Sequence, residues 1–312
     1  MESFIIATNA VMPFMVYIAI GMLARKAGWV REEFLREFNG ILFKVFFPFI
    51  MFNNLYDVDF STLKNANYVI FATIGTIVLI TLALIIVPFF EKDNRRKGVI
   101  VQAVYRSNSV LFALPLAVNV LGEAASVKAS IAIAFLVPLY NIAAVAILEY
   151  YRGGKVSGGV IIKNILKNPL IMGAVAGFIF NMLPITMPAC FVSPLTQLAN
   201  LATPMALFVL GGTLHFSDLR KNLVTIVIGT VLKLIVVPAV MITIMAAMNF
   251  DTTEFFIVFC LYATPVAAAT FPMAHSMGAD ADLAGEYVVV TTLCSIFTIF
   301  TWIIVLRNFG LL

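Results

Sequence analysis

Ten apolar windows, each roughly 20 residues and so about long enough to cross a bilayer as a helix, follow one another along this sequence with only short polar turns between them. They lie near residues 3–24, 34–55, 67–90, 98–120, 126–150, 164–183, 190–213, 221–247, 254–277 and 284–308. Such windows use about two thirds of the chain and leave room for loops but for no separate soluble domain. Composition agrees: 62% of the 312 residues are hydrophobic and 12% charged, with a mean hydropathy of +1.03, whereas soluble domains are about a quarter charged. The expected class is an all-α membrane protein embedded in lipid.

Several function classes lack their signatures. The chain has no GxxxxGK[ST] loop, HExxH pair or GxSxG elbow, and no pair of intramembrane aspartates. The expectation is neither an enzyme nor a cofactor protein. Cys190, Cys260 and Cys294 stand far apart with no histidine cluster nearby, which argues against a metal site or disulfide framework. The opening MESF lacks the basic region of a cleaved signal, so the first window reads as a retained helix.

The net charge of +4 belongs to the turns and predicts no nucleic-acid partner. With the N-terminus outside, cytoplasmic segments hold Arg25, Lys26, Arg31, Arg36, Lys92, Arg95, Arg96, Lys97, Arg152, Lys155, Lys163, Lys167, Arg220 and Lys221, against Lys64, Lys128 and Arg307 outside. The positive-inside bias therefore places both termini outside a cell membrane. Asp280, Asp282 and Glu286 make one cytoplasmic turn acidic.

An internal repeat organises the windows. Pro13 and Gly21 recur as Pro169 and Gly177, and Pro48 with Phe52 as Pro204 with Phe208, all offset by 156 positions. ALIIVP ending at Pro88 is echoed by KLIVVP ending at Pro238, and Pro115 by Pro272. A five-span unit must insert its second copy upside down, giving a 5+5 inverted repeat suited to alternating access. The halves are 1–150 and 164–312, joined by a short linker at 151–163.

Windows four and nine are expected to be broken. The fourth, YRSNSVLFALPLAVNVLG, holds Arg106, Ser107, Asn108 and Ser109 ahead of Pro115; the ninth, YATPVAAATFPMAHSMGA, holds Thr264, Pro265, Pro272 and His275. Proline removes an amide donor, and backbone groups freed at membrane depth need protein, water or ligand. Broken helices at matching positions in two halves point to a binding site. Lys44, Arg106 and Lys233 lie well inside windows where no acidic residue lies equally deep. Isolated charges there are costly, so an anionic substrate is favoured, with Lys233, His275 and Lys44 as candidates for charge balance or coupling. Asn53 and Asn54 could cap window two; Thr291, Thr292 and Ser295 could face the crossing or bond their own backbone.

RSNSVLFALPL around Asn108 and Pro115, Pro265 and Pro272 with the following TTLCS run, NPLIMGAVAGF at Pro169, ATPMALFVLGGTL at Pro204 and LKLIVVPAVM at Pro238 together resemble the auxin efflux carrier family over the whole chain. That family includes plant PIN-formed carriers and bacterial permeases of malate or malonate type. The resemblance implies that Asn108, seven before Pro115, contacts a substrate carboxylate, and that Lys233 occupies a usually basic position. It also implies a scaffold of spans 1, 2, 6 and 7, a crossover domain of spans 3–5 and 8–10, and a homodimer through the scaffold. Ser107 replaces a crossover proline of the plant carriers and the linker is short, which favours the prokaryotic branch. The expected function is a secondary transporter of a mono- or dicarboxylate working by an elevator motion; an anion channel and a non-transporting ligand sensor remain alternatives.

Overall fold

The structure, a computed structural model, describes residues 2–56, 66–122, 124–152, 158–183, 186–214, 216–248 and 250–312. Lys64, Lys155 and the middle of the 151–163 linker lie outside the described residues. Within them the chain is helical, with no strand beyond one isolated bridge. The helices are α1 (Glu2–Lys26), α2 (Glu32–Tyr56), α3 (Asn67–Phe90), α4 (Asn94–Tyr105), α5 (Ser109–Leu121), α6 (Ala124–Tyr151), α7 (Gly158–Leu166), α8 (Pro169–Met182), α9 (Ala189–Thr213), α10 (Phe216–Val231, continued to Ala246), α11 (Thr252–Ala263), α12 (Thr270–Ser276) and α13 (Ala281–Asn308).

Among the described residues six helices are long and apolar enough to cross a membrane: α2, α3, α6, α9, α10 and α13. The bent pair α7–α8 raises that number to seven. Their outer faces suit lipid. Ile70, Ile74, Ile77 and Ile85 run down one face of α3 and are about half exposed, a stripe that a protein in water does not leave bare. The window expected as one span at 164–183 is two helices meeting at 65°. Asn168 caps α8, its side chain accepting from the Leu170 amide, and Pro169 takes the first helical position, where its missing N–H is no loss.

Three π turns, Leu42–Phe46, Ser109–Ala113 and Leu232–Val236, each end two residues before a proline: Pro48, Pro115 and Pro238. Proline cannot donate to the carbonyl four residues back and its ring crowds that carbonyl; widening the preceding turn relieves both problems. Pro115 therefore does not break the fourth window. The interruption lies upstream at Arg106–Asn108, where the chain is extended. In the ninth window it begins at Thr264, which Pro265 biases away from helix.

Two close helix pairs frame the site. A Cβ on Gly21 of α1 would sit 2.0 Å from the Phe208 carbonyl oxygen of α9, and one on Gly177 of α8 would sit 2.3 Å from that of Phe52 on α2. Glycine alone permits either approach. The same glycine and phenylalanine landmarks of the sequence repeat are thus brought together in both pairs. One buried cluster joins α3, α6, α11 and the end of α13, and another joins α1, α2, α8, α9, α12 and the start of α13.

Charged residues gather at the helix ends. At one end Arg25 donates to the Gly212 carbonyl, Arg96 pairs with Glu91 at 2.8 Å, and the Asp280 amide donates to the Arg95 carbonyl. Partial burial of Glu91 opposes ionisation, yet the Asp93 amide, the Arg96 guanidinium and the Lys92 amide together hold its carboxyl below the usual range. At the other end Lys128 reaches Asp251 at 2.5 Å and Glu254 at 3.1 Å.

Candidate functional site

The two interruptions meet. The Asn108 amide donates to the Pro265 carbonyl at 2.9 Å, and the Ala267 amide donates to the Arg106 carbonyl at 3.2 Å, forming an antiparallel bridge between Ser107 and Val266. Backbone groups released from the two helices thus satisfy one another in the protein interior, where an unpaired amide is costly. Thr291 completes the joint: its hydroxyl accepts from the Val266 amide and donates to the Tyr287 carbonyl.

Arg106, 2% exposed, is held by neutral groups. Its guanidinium donates to Gln102 Oε1 at 2.9 Å and to Asn141 Oδ1. Asn141 is fixed in turn by donating to the Val137 carbonyl. Lys233, fully buried in the α10 π turn, donates to Ser107 Oγ at 2.5 Å. Neither cation makes a salt bridge among the described residues.

A cavity of about 500 Å³ lies at this crossing, and Lys233 is not part of its lining; its size suits a small organic ligand. Of the residues named from the sequence, Arg106, Ser107, Asn108, Ser109 and Pro115 line it, and so do Tyr140 and Asn141 of α6. The N-terminus of α5 opens onto it through Ser109, Val110 and Leu111, adding first-turn amides and a favourable dipole for an anion. From the second interruption come only Ala267, Ala268 and Ala269. Among the described residues Arg106 is the one cation in the wall, and no acidic residue lines it. Asn108 Nδ2 is buried and meets no acceptor among the described residues.

Other expected residues stand apart from the cavity. Thr264 and Pro265 support the bridge from behind. The Pro272 carbonyl accepts from Asn39 Nδ2, which also lies 3.2 Å from His275 Nδ1 and 3.3 Å from Ser276 Oγ. Pro272 and His275 thus tie α12 to α2. Lys44 lies exposed on the outer face of α2. Asn53 and Asn54, read as caps, line the cavity, as do Asn119, Asn200 and Thr203. Asn141 and Tyr140 were legible only as polar residues inside an apolar run, FLVPLYNIA. Among the described residues no group of histidine, cysteine or acidic side chains could hold a metal ion.

The sequence pattern of the family described as membrane transport protein matches residues 6–157 and 155–303. An uncharacterized transporter of Methanothermobacter thermautotrophicus is 22% identical, over 96% of this chain and 98% of its own. A candidate malonate transporter of Rhizobium meliloti is 22% identical, over 96% of each chain. An uncharacterized transporter of Methanocaldococcus jannaschii is 23% identical, over 97% of this chain and 100% of its own. A multi-pass helical architecture and a family pattern running nearly end to end lead to one conclusion: the chain belongs to the membrane transport protein family, that of the auxin efflux carriers.

Proposed function

We propose that this protein is a secondary transporter of a small organic anion, held by its carboxylate where the two interrupted spans cross. One observation carries the reading: a cavity whose single charged wall residue among the described residues is Arg106, beside an Asn108 carboxamide nitrogen that meets no acceptor among them. A carboxylate entering there would accept from Asn108 and from the amides at the start of α5, with Arg106 and Lys233 supplying positive potential. The relative in Rhizobium meliloti named for malonate is consistent with a carboxylate substrate.

The mechanism in this reading is elevator-type alternating access through ten spans in two inverted halves, 1–150 and 164–312. The family pattern, matching in two segments that meet at 155–157, and the paired Gly21–Phe208 and Gly177–Phe52 approaches support it. Asn39 ties α12 to α2, a contact that would have to part if α12 moved against α2. Spans 1, 2, 6 and 7 would be the scaffold and pair two copies, spans 3–5 and 8–10 the moving part. Both termini would face outside a cell membrane, with the cation-rich turns inside.

The test is uptake of labelled malonate by liposomes holding the purified protein, with proton and sodium gradients imposed separately. Saturable uptake that Asn108→Ala removes is expected. Retention of uptake by that variant, or ohmic current of channel size, would overturn the reading.

A further inference from the structure

A second carboxamide nitrogen, Asn54 Nδ2, shares the condition of Asn108 Nδ2: it is buried without an acceptor among the described residues, on a residue that lines the same cavity. Its neighbour Asn53 is engaged, donating to Thr196 Oγ1. Phe47, Ile50, Met51 and Asn54 all line the cavity from α2, and their spacing puts them on one helical face. That face leads from Phe47 to Asn54, roughly 10 Å along the axis at ~1.5 Å per residue. Asn119 and Asn200, both exposed, line the same cavity.

The wall of the cavity is uneven in charge. Arg106 lies at the crossing and Lys233 donates to Ser107 there, whereas among the described residues α2 brings only the uncharged polar side chains of Asn53 and Asn54. A site with its positive potential at one end and an unsatisfied neutral donor at the other is complementary to a ligand of the same layout. We propose that Asn54 is a specificity-determining residue that donates to an uncharged oxygen at the far end of the substrate. The favoured class is then short monocarboxylates bearing a hydroxyl or carbonyl group, ahead of plain alkyl carboxylates and of acids with a second carboxylate.

This inference rests on the carboxylate reading of the crossing, and three acids of equal chain length separate the two. Propionate, 3-hydroxypropionate and malonate differ only at the far carbon. Their affinities are measured at pH 7 for the purified full chain. The hydroxy acid is expected to bind about tenfold tighter than propionate, the worth of one hydrogen bond, and at least as tightly as malonate. Asn54→Ala should bring that ratio to about one. Equal affinities for propionate and the hydroxy acid, or tightest binding of malonate, would overturn the role of Asn54 while leaving the crossing site standing. Binding of none of the three, or propionate affinity indifferent to Asn108→Ala, would overturn both. The wild-type series decides the matter even if the Asn54 variant does not fold.

Discussion

The two interruptions that form the crossing share a backbone solution and divide the chemistry. Each supplies one amide and one carbonyl to the bridge. The first, Arg106–Asn108, also carries a guanidinium, a hydroxyl and a carboxamide to the cavity or its border, while the second offers three alanine methyl groups. An inverted pair of helices need not be a chemically symmetric pair. In the proposed reading one arm would recognise the ligand and the other would provide space and a backbone to rest on.

Substitutions on the two arms should therefore differ in kind. The largest effect belongs to Asn108→Ala, which removes the unpaired donor: carboxylate affinity is expected to fall by ~30-fold or more, read as loss of ligand-induced thermal stabilisation. Next is Ala268→Leu, which should lower affinity by filling the cavity at an overpacking cost of about 1–3 kcal/mol, whereas Ala268→Ser should stay within about twofold of wild type. Comparable losses for the serine and leucine variants would mean that the second arm takes part in recognition.

Smaller effects test what stands behind each arm. Lys233 supports only the first, through Ser107, and has no acidic partner among the described residues. Lys233→Met is therefore expected to leave the melting temperature unchanged or raise it, by up to ~1–2 kcal/mol in stability, while weakening anion binding. The second arm is anchored remotely: Asp251 caps α11, accepting from the Glu254 amide, and pairs with Lys128. Slight burial of Asp251 works against ionisation, but Lys128 and the Glu254 amide outweigh it and keep the carboxyl below its usual range. Its stabilisation is thus present above the ordinary carboxyl pKa and is lost as pH falls through the lowered one. With both partners over a third exposed, Asp251→Asn should cost less than ~1 kcal/mol, seen as a small drop in melting temperature near neutral pH that vanishes on acidification.

Much of this arrangement could be read from the chain. The polar run Arg106–Ser109 inside an apolar window marked the first interruption and Pro265 the second, because polar groups and missing amides at membrane depth must be answered, whereas Pro115 and Pro272 lie within helices. What could not be read depends on rotation about helix axes. Lys44 and Lys233 look alike in the sequence, each a few residues before a proline, yet one lies on an exposed face and the other is fully buried. Each sits in a π turn, which inserts a residue and swings the following face around. Single polar residues such as Asn54, Asn141 and Asn200 are equally mute until neighbouring helices fix which way they face. Asn39 and His275, far apart in sequence, meet only through packing.

The claim that matters most is that a carboxylate occupies the crossing itself. A cysteine introduced as Ala268→Cys, with the exposed Cys190 changed to serine, reports on that spot through its rate of reaction with a small polar thiol reagent. Saturable protection by the carboxylate that stabilises the protein is expected, and Asn108→Ala should abolish it. An unchanged labelling rate while that carboxylate is demonstrably bound would place the anion elsewhere and contradict the account.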